Sequence, residues 1–301
     1  MLYLIKEKSD YMKVLCIGHT TFDIMLDMKD YPKENTKNKL NGVVGCGGGQ
    51  ASNAAYLLGK WGVDTTFLGL VGNDQYGRYV KKELESADVN TNYLEMNGKT
   101  TVSYIIVNDS NGSRTSLTYH PTDFMMKEID EDINPDIILM DGYESHIASK
   151  LLDKYPNSIS VLDAEKNIPE VIELAKRVTY VVASKSFLEK FSNINIIDEL
   201  SLRKAISYAN KHFHNFIVTL EDKGCAYNDK IIPSIKINPL DSTGAGDIFH
   251  GAFVYGLTQN WDIDKILKFA NVAGALSVTK LGSRNSVYSL KEVEDIFNGI
   301  K

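Results

Sequence analysis

Asp241-Ser242-Thr243-Gly244-Ala245-Gly246-Asp247 is the stretch that decides how this chain folds, because a polar turn with two glycines runs directly into an apolar helix. Apolar residues follow the turn at helical spacing, and they include Ile248, Phe249, Ala252 and Phe253. Glycines let the backbone approach a ligand closely. The free N–H groups at the start of a helix, together with the helix dipole, favour a bound anion. The stretch therefore predicts an anion site at the beginning of a buried helix.

Asp247 lies in the first turn of that predicted helix, where two interpretations are open. The dipole alone favours a carboxylate at a helix start, by about 0.3–1 kcal/mol. Beside an anion site, however, a carboxylate can also take the proton of an attacking hydroxyl, while the N–H groups hold the charge that develops on a phosphate. The combination indicates phosphoryl transfer, with Asp247 as the general base.

A second glycine-rich stretch, Gly45-Cys46-Gly47-Gly48-Gly49-Gln50-Ala51-Ser52-Asn53, precedes another predicted helix. Its glycines would allow a polyhydroxy ligand to approach the backbone, and Asn53 is suited to bind a hydroxyl. The plainer interpretation is a tight turn with a Ser or Asn cap. Other phosphate motifs are excluded, because a dinucleotide fingerprint would need glycine at Gln50 and a P-loop ending at Gly98-Lys99-Thr100 would need glycine at Tyr93.

The order of strands and helices predicts an α/β fold. In the second half of the chain the apolar runs DIILMDG, ISVLDA, TYVVAS and NFIVTL are each followed by a helical or hairpin segment. Such alternation is typical of a parallel sheet with helices on both faces, which binds ligands at the carboxyl ends of its strands. Two strands near residues 100–120, joined by the turn residues Asp109-Ser110-Asn111-Gly112-Ser113, have no helices to cover them. We expect them to form a small β lid above the ligand edge.

Composition narrows the class of protein. The 301 residues are 43% hydrophobic and 24% charged, which suits a single large domain. The net charge of -6 gives no reason to expect nucleic acid as a partner. Three cysteines without CxxC spacing suggest a reducing compartment, and no run resembles a secretory signal or a membrane span. We therefore expect a cytoplasmic protein without a membrane partner.

Met12 directly precedes the first strand, so residues 1–12 are expected to be an N-terminal tail and residues 13–301 the domain.

Two signatures in this order resemble those of the PfkB carbohydrate kinases. Gly48-Gly49-x-Ala51-Ser52-Asn53, followed by Gly69-x-Val71-Gly72-x-Asp74-x-x-Gly77, is similar to the first, and Asp241 to Asp247 is similar to the second. The resemblance extends from about Val14 to the C-terminus. It implies a ribokinase-like three-layer sandwich with a mostly parallel sheet and a β lid drawn from about residues 19–43 and 98–120. The implied activity is transfer of the γ-phosphate of ATP to a small sugar, with Mg²⁺ as cofactor.

The resemblance also implies roles for individual residues. For catalysis these are Asp247 as the base and Gly244, Ala245 and Gly246 as the anion hole; for the sugar they are Asp23, Gly48, Gly49, Asn53 and Arg114. For the nucleotide they are Ser184, Thr219, Gly224, Thr243 and Asn271; for a monovalent cation, K⁺, they are Asp241 and Ser286 together with Gly282. From the residues alone, Asp23 could equally be an exposed strand acid and Arg114 a solvated hairpin arginine.

Departures from the family pattern point to a branch of it. Ser184 and Phe187 stand where many members have the Asn and Glu of an Asn-x-x-Glu motif that orders magnesium, and Glu221 replaces a common glycine. Ser184-Lys185 and the lid residue Arg114 are similar to the ketohexokinase branch, which implies an unphosphorylated ketose as substrate. A nucleoside kinase, a phosphosugar kinase and a non-catalytic sugar-binding protein are the alternatives. Uncovered lid strands suggest a homodimer formed through the lid.

Overall fold

The computed structural model describes residues 12–108, 113–121, 126–128 and 132–300. Nearly all of the predicted N-terminal tail lies outside the described residues, as does most of the predicted hairpin turn at 109–113. Within them the elements follow in the order β1 (Val14–Ile17), β2 (Thr21–Met28), β3 (Gly42–Gly48), α1 (Gln50–Lys60), β4 (Thr65–Val71), α2 (Gln75–Glu85), β5 (Leu94–Met96), β6 (Val102–Asn108), β7 (Arg114–Tyr119), β8 (Ile137–Met140), α3 (Ser145–Lys154), β9 (Ile159–Ala164), α4 (Pro169–Ala175), β10 (Tyr180–Ser184), α5 (Lys185–Ser192), α6 (Glu199–Ala209), β11 (Phe216–Thr219), β12 (Cys225–Tyr227), β13 (Lys230–Ile232), α7 (Ala245–Thr258), α8 (Ile263–Ser277) and α9 (Leu290–Gly299).

A nine-stranded sheet forms the middle layer, in the order β13-β12-β11-β10-β9-β8-β1-β4-β5. The pairs from β5 to β11 are parallel, and only the hairpin pairs β11–β12 and β12–β13 are antiparallel. Strand β1 is buried throughout, because Val14 and Cys16 pack into one hydrophobic cluster while Leu15 and Ile17 pack into another. A strand that is covered on both faces is expected to be apolar along its whole length, and β1 is.

Helices cover the two faces of this sheet as separate groups. Helices α1, α2, α7, α8 and α9 contribute to the cluster that contains Val14, and helices α3, α4, α5 and α6 contribute to the cluster that contains Leu15. The contact between α7 and α1 brings the two glycine-rich stretches of the sequence together. The predicted three-layer α/β architecture with a mostly parallel sheet is therefore confirmed. No helix in the part of the chain that the structure describes is long and apolar enough to cross a membrane.

A separate four-stranded sheet, in the order β3-β2-β6-β7, forms what we call the lid. It is mainly antiparallel, with one parallel pair between β2 and β6. The expected lid segments, residues 19–43 and 98–120, contain β2, β6 and β7. Of the two interpretations left open for the glycines before Gln50, the tight turn does not hold up to Gly48, because β3 runs as a strand from Gly42 to Gly48 and pairs along β2. The glycine run is thus the inner end of a lid strand, and only Gly49 is the turn into α1, with φ of 95°.

Candidate active site

The anion turn is held in place by Asp241. This buried carboxylate accepts hydrogen bonds from the backbone N–H and the hydroxyl of Thr243, at 2.8 and 2.6 Å, and from the N–H of Gly282, at 2.8 Å. Gly244 follows in the left-handed region with φ of 79°, and a Cβ there would lie 2.4 Å from Cβ of Ser283. Only glycine fits this position. The chain then enters α7 with the N–H groups of its first turn directed out of the helix start, as an anion site requires.

Asp247 stands in the first turn of α7, beside the open space at Gly246, where a Cβ would meet no atom within 4 Å. Its Oδ2 accepts a hydrogen bond of 2.7 Å from Nδ2 of Asn53 in α1. Burial, and next the neighbouring carboxylate of Asp163, raise the pKa of Asp247 to about 7. A carboxylate with a pKa near neutrality is well matched to general-base work, because about half of it is ionised at pH 7 and the ionised form binds a proton readily.

Arg284 fixes the orientation of the Asn53 amide. No sequence motif assigned Arg284 a role in the site. The guanidinium is buried, with 2% of the residue exposed, and its Nε donates to Oδ1 of Asn53 at 3.2 Å. With Oδ1 occupied in this way, the other end of the amide, Nδ2, faces Asp247. The guanidinium also donates to the hydroxyl of Ser52. An arginine thus stands behind the contact between Asn53 and the candidate base.

Glu83 in α2 supplies the countercharge for Arg284. Its Oε2 lies 2.7 Å from Nη1 of Arg284 and also accepts the backbone N–H of Gly47 at 2.8 Å. A Cβ at Gly47 would lie 2.1 Å from the same Nη1, so the guanidinium passes where a larger residue would stand. Nothing in the sequence pattern signals this arrangement, because Arg284 and Asn53 are 231 positions apart.

Asp23, Gly48 and Gly49, which were predicted to bind the sugar, lie close together where the lid meets α1. Asp23 on β2 is buried, its Oδ1 accepts from the hydroxyl of Thr21 at 2.6 Å, and burial raises its pKa to about 6. A Cβ at Gly48 would lie 2.1 Å from Oδ2 of Asp23, and a Cβ at Gly49 would lie 2.2 Å from the carbonyl oxygen of His19. The glycines thus let the backbone pass close to Asp23 on its way to Asn53.

The face of the lid that carries Asp23 is rich in hydroxyl groups. Asp23 is paired in register with Ser103 on β6, which is paired with Thr118 on β7. Oγ of Ser103 and Oγ1 of Thr118 are 3.0 Å apart, and Thr118 is 3.1 Å from the hydroxyl of Ser116. Side chains alternate between the two faces of a strand. Tyr104, which follows Ser103, and its partner Leu117 therefore point to the other face.

Arg114, at the start of β7, reaches from the lid to the anion turn. Its Nη1 donates to the carbonyl oxygen of Ser242 at 2.6 Å and to the hydroxyl of Ser242 at 2.8 Å. The guanidinium is exposed, so it remains open to a ligand bound between lid and turn. The structure therefore brings Arg114 to the candidate site, although its present partner is the protein chain.

Two buried titratable side chains, His250 and Asp163, lie next to the start of α7, and no sequence motif assigns them a role. Nδ1 of His250 lies 2.6 Å from the carbonyl oxygen of Gly246 and 3.5 Å from Oδ2 of Asp163. Burial, with repulsion from Glu165, raises the pKa of Asp163 well above its usual range, and burial lowers the pKa of His250. Gln50 bridges the two carboxylates, with Nε2 3.4 Å from Asp163 and 2.8 Å from Glu165. Asp163 and Glu165 are the carboxylates that repel a charge on Asp247.

The residues predicted to border the nucleotide are largely engaged with the protein itself. Ser184 caps α5 by accepting the N–H of Phe187 at 3.1 Å, and the hydroxyl of Thr219 donates to the carbonyl oxygen of Ala183 at 3.3 Å. Gly224 has φ of 98°, and a Cβ there would lie 2.1 Å from the carbonyl oxygen of Ile232. The bonds of Ser184 and Thr219 fix the ends of β10 and β11.

Asn271, predicted to lie at the adenine side, uses its amide nitrogen within the protein. It is buried, and its Nδ2 donates to the carbonyl oxygens of Ile232 and Pro233 at 3.0 and 3.4 Å. The amide nitrogen therefore holds the end of β13 against α8, and it is not presented to a ligand. The physical reason is the burial of two strand-end carbonyls, which need a donor.

The proposed cation residues come together only in part. Asp241 binds the N–H of Gly282, whereas Ser286 donates its hydroxyl to the carbonyl oxygen of Ser283 at 2.6 Å and has no direct bond to Asp241 among the described residues. Oxygen atoms of both side chains retain lone pairs, which suits a hard cation. Among the described residues there is no group of three or more His, Cys, Asp or Glu side chains that could hold a metal ion.

Comparison with known proteins places this chain in a family. The fold is that of ribokinases: a ribokinase from Arabidopsis thaliana, solved with ribose and ATP, superposes with a TM-score of 0.80 and 22% identity over 95% of this chain and 99% of that one. The model of the pfkB family carbohydrate kinases matches residues 12–289. The chain therefore belongs to the pfkB family, and it is a carbohydrate kinase, a phosphotransferase with an alcohol group as acceptor.

Different relatives of this chain are named for different substrates. The ribokinase of Staphylococcus aureus (strain COL) is 26% identical over 94% of this chain and 99% of its own length. The nucleoside kinase of Methanocaldococcus jannaschii is 24% identical over 84% of this chain and 86% of its own. One structure in the same group, from E. coli, contains ATP and Mg²⁺. The relatives named here support the family, and none of them carries the ketohexokinase name implied by Ser184-Lys185.

Proposed function

We propose that the chain transfers the γ-phosphate of ATP to a hydroxyl of a free, unphosphorylated sugar, with Asp247 as the catalytic base. The observation that carries the proposal is the bond between Asn53 and Asp247, which joins the first turn of α1, next to the glycine-rich end of the lid, to the first turn of α7, next to the anion turn. A sugar held by Asp23 and Asn53 would present its hydroxyl to Asp247, and the phosphate would lie at the start of α7.

The residues have complementary tasks in such a transfer. Asp247, with its pKa raised to about 7, takes the proton from the attacking hydroxyl. The N–H groups of Gly244, Ala245 and Gly246 stabilise the charge that develops on the transferred phosphoryl group. Arg114, which already reaches Ser242 from the lid, is placed to add positive charge on the side of the phosphoryl group opposite these N–H groups. The hydroxyl's oxygen then forms the new bond to phosphorus as the bond to the β-phosphate breaks.

Magnesium fits the carboxylates of this site, although the usual motif is missing. Phe187 is fully buried and Ser184 is a helix cap, so neither replaces the Asn-x-x-Glu pair. Asp163, near the end of β9, and Glu165, just after it, are the acidic side chains that would hold the metal together with the phosphates and water, which is the way proteins usually bind Mg²⁺. When bound, the ion neutralises charge on the β- and γ-phosphates.

The acceptor is proposed to be a sugar because the lid face that carries Asp23 presents hydroxyl groups, from Ser103, Ser116 and Thr118. A nucleobase would need an accessible aromatic or apolar surface there. Tyr104 and Leu117 lie on the other face, and the apolar neighbours of Asp23 on its own face, Met25 and Ile105, are buried in a small hydrophobic cluster. Within sugars we propose a ketose, on the resemblance around Arg114 and Ser184-Lys185. The names of several relatives favour ribose, so ribose is the acceptor against which a ketose must be compared.

The lid is proposed to pair two chains. Its outward face exposes large apolar side chains, with 60% of Val43, 58% of Leu117 and 55% of Tyr119 accessible. Strands β3 and β7 are edges of the small sheet, and proteins cover or pair such edges. Burying this face against a second copy would remove the apolar surface from water and steady the lid over the sugar.

A coupled assay of ADP release with fructose, ribose, fructose 6-phosphate and adenosine tests the proposal. We expect kcat/KM to be highest for a free sugar, because a site of buried hydroxyl-binding groups rejects ligands that leave them unpaired. A preference of more than about tenfold, or roughly 1.4 kcal/mol, for adenosine or for the phosphosugar would overturn the acceptor while leaving the kinase in place. A preference of that size for ribose over fructose would overturn the ketose alone.

A further inference from the structure

A buried carboxylate, Asp141, lies directly after β8 and is not among the site residues described so far. Strand β8 is paired in register with β1, so Met140 lies beside Ile17. Only 2% of Asp141 is exposed, and no ion pair among the described residues includes it. A charge that is buried without a cation is costly unless hydrogen bonds stabilise it.

The hydrogen bonds of Asp141 come from backbone N–H groups in three separate segments. Its Oδ2 accepts from the N–H of His19 at 2.7 Å and from the N–H of Ala51 at 3.2 Å. Its Oδ1 accepts from the N–H of Tyr143 at 3.0 Å. Burial raises the pKa of Asp141 to about 6, and these three bonds oppose that rise, so the group is mainly ionised at neutral pH. An ionised carboxylate only accepts hydrogen bonds, which matches a setting of three donors.

Two of the three donors lie in what we call the lid roots, residues 18–20 and 49–51, which join β2 and β3 to the rest of the molecule. His19 lies between β1 and β2, and Ala51 is the second residue of α1, which follows β3. The N–H groups at the start of a helix have no partner inside the helix, so that of Ala51 is free to bind outside it. A single oxygen atom, Oδ2 of Asp141, thus joins both lid roots to the end of β8.

Two glycines leave room for this arrangement. A Cβ at Gly18 would lie 2.1 Å from Oδ1 of Asp141, so the carboxylate occupies the space of a side chain there. A Cβ at Gly49 would lie 2.2 Å from the carbonyl oxygen of His19, so the two lid roots run side by side. The His19 ring adds a second contact, because it stacks on the Tyr143 ring with centroids 4.1 Å apart.

The lid roots lead directly to the two residues proposed to hold the sugar. Asp23 follows His19 on β2, and Asn53 lies in the first turn of α1, where its N–H bonds to the carbonyl oxygen of Gly49 at 2.8 Å. Strand β8 is a firm support, because it is buried along its length between β1 and β9. Asp141 therefore fixes the segments that carry both sugar ligands to one point of the large sheet.

We propose that Asp141 is a positioning residue for the acceptor: by holding both lid roots at the end of β8, it sets the position of Asp23 relative to Asn53 without touching the sugar. The inference rests on the proposed function, in which these two residues bind the acceptor. The anion turn is held separately, by the bonds of Asp241, so the nucleotide should not depend on Asp141. An amide cannot replace the carboxylate, because its NH₂ group would face an N–H donor.

The test compares the affinity of Asp141→Asn for the acceptor with its affinity for the nucleotide. Calorimetry uses the sugar that the unaltered chain phosphorylates fastest and, separately, the ATP analogue AMP-PNP with Mg²⁺. Asp136→Asn is the matched control, because Asp136 accepts the N–H of Lys13 at 2.7 Å at the opposite end of β8. Leu202→Ala, in the buried face of α6, controls for a loss of stability alone.

We expect kcat/KM of Asp141→Asn for the sugar to fall about 100-fold, the usual effect of misplacing a binding group by about 1 Å. Affinity for the sugar should fall about tenfold, the worth of one hydrogen bond. Affinity for AMP-PNP should stay within about twofold, as for distant sites, and both controls should keep both affinities. An equal loss of the two affinities, a loss of neither, or the same pattern in Leu202→Ala would overturn the inference, while sugar turnover by the unaltered chain upholds the proposed function.

Hydrogen exchange in the unaltered chain decides the question if Asp141→Asn does not fold. The N–H groups of His19 and Ala51 should exchange as slowly as those of β8 and more slowly than those of the exposed strand β7, with and without sugar. Exchange of both at the rate of β7 would overturn the inference. If the unaltered chain phosphorylates adenosine and no sugar, the proposed function fails, and the same comparison of affinities made with adenosine decides the role of Asp141.

Discussion

Replacing Arg284 by methionine separates the structural from the catalytic part of the site. Arg284 has no exposed side-chain surface, and its partner Glu83 is only 14% exposed. Removing one partner of a buried ion pair leaves the other charge uncompensated, at a cost of about 3–5 kcal/mol. A typical domain has about 5–15 kcal/mol of stability, so Arg284→Met is expected to lower the midpoint of urea unfolding substantially.

The same variant should also slow the reaction. Without Nε of Arg284, the amide of Asn53 is free to turn, and its oxygen would then face the carboxylate of Asp247. A misplacement of about 1 Å at a reacting group costs on the order of 10²-fold in rate, so we expect kcat to fall roughly 10- to 100-fold. The Asn53 bond favours the charged form of Asp247. Its loss should therefore move the acidic limb of the pH profile to higher pH.

The double variant Arg284→Met/Glu83→Gln provides the control. It removes both charges, so most of the lost stability should return, while kcat and the acidic limb should stay altered because Asn53 still lacks its anchor. Unfolding in urea and coupled ADP release over a range of pH measure the two effects separately. A double variant with the kcat and the acidic limb of the unaltered chain would refute the positioning of Asn53 by Arg284.

Three further predictions follow from the site. Because the pKa of Asp247 is raised to about 7, kcat/KM for the sugar should fall about tenfold per pH unit below that value, and constant activity down to pH 5 would contradict a base with this pKa. Chelation of Mg²⁺ should abolish turnover, and activity should be higher in potassium than in sodium or tetramethylammonium buffer if Asp241 and Ser286 bind K⁺; equal rates in the three buffers would remove that site. Leu117→Lys, on the outward face of the lid, should convert a dimer to a monomer in light scattering, whereas an unaltered chain that is already monomeric would refute pairing through the lid.

The sequence predicted the architecture well because the architecture depends on local patterns. Alternation of apolar strands with amphipathic helices predicts the three layers, and the polar turn before α7 predicts where the anion site lies. The sequence did not predict that the glycine run before Gln50 ends a strand, because glycine disfavours strands, whereas tertiary pairing with β2 overrides that preference here. The glycines are needed there since Asp23 and Arg284 occupy the space of side chains at Gly48 and Gly47.

Contacts between distant parts of the chain could not be read from the sequence. The bond from Asn53 to Asp247 spans 194 positions, and that from Arg284 to Glu83 spans 201. Arg284 lies in a short irregular segment with no periodicity, so no pattern distinguished it from a surface arginine. Asn271 was expected to lie at the adenine side. Its bond to the carbonyl oxygen of Ile232 could not be foreseen, because a sequence does not tell which buried carbonyl an amide will satisfy.

The turnover of Asp247→Asn tests the central claim most directly. The substitution keeps the shape and can preserve contact with Asn53 but removes the basic carboxylate, so the fold should persist, as circular dichroism and urea unfolding would report. Single-turnover measurements with saturating Mg-ATP and sugar should then show a rate lower by roughly 10²–10⁴-fold, the usual weight of general-base catalysis. A folded Asp247→Asn chain that transfers phosphate at nearly the unaltered rate would contradict the assignment of Asp247 as the base.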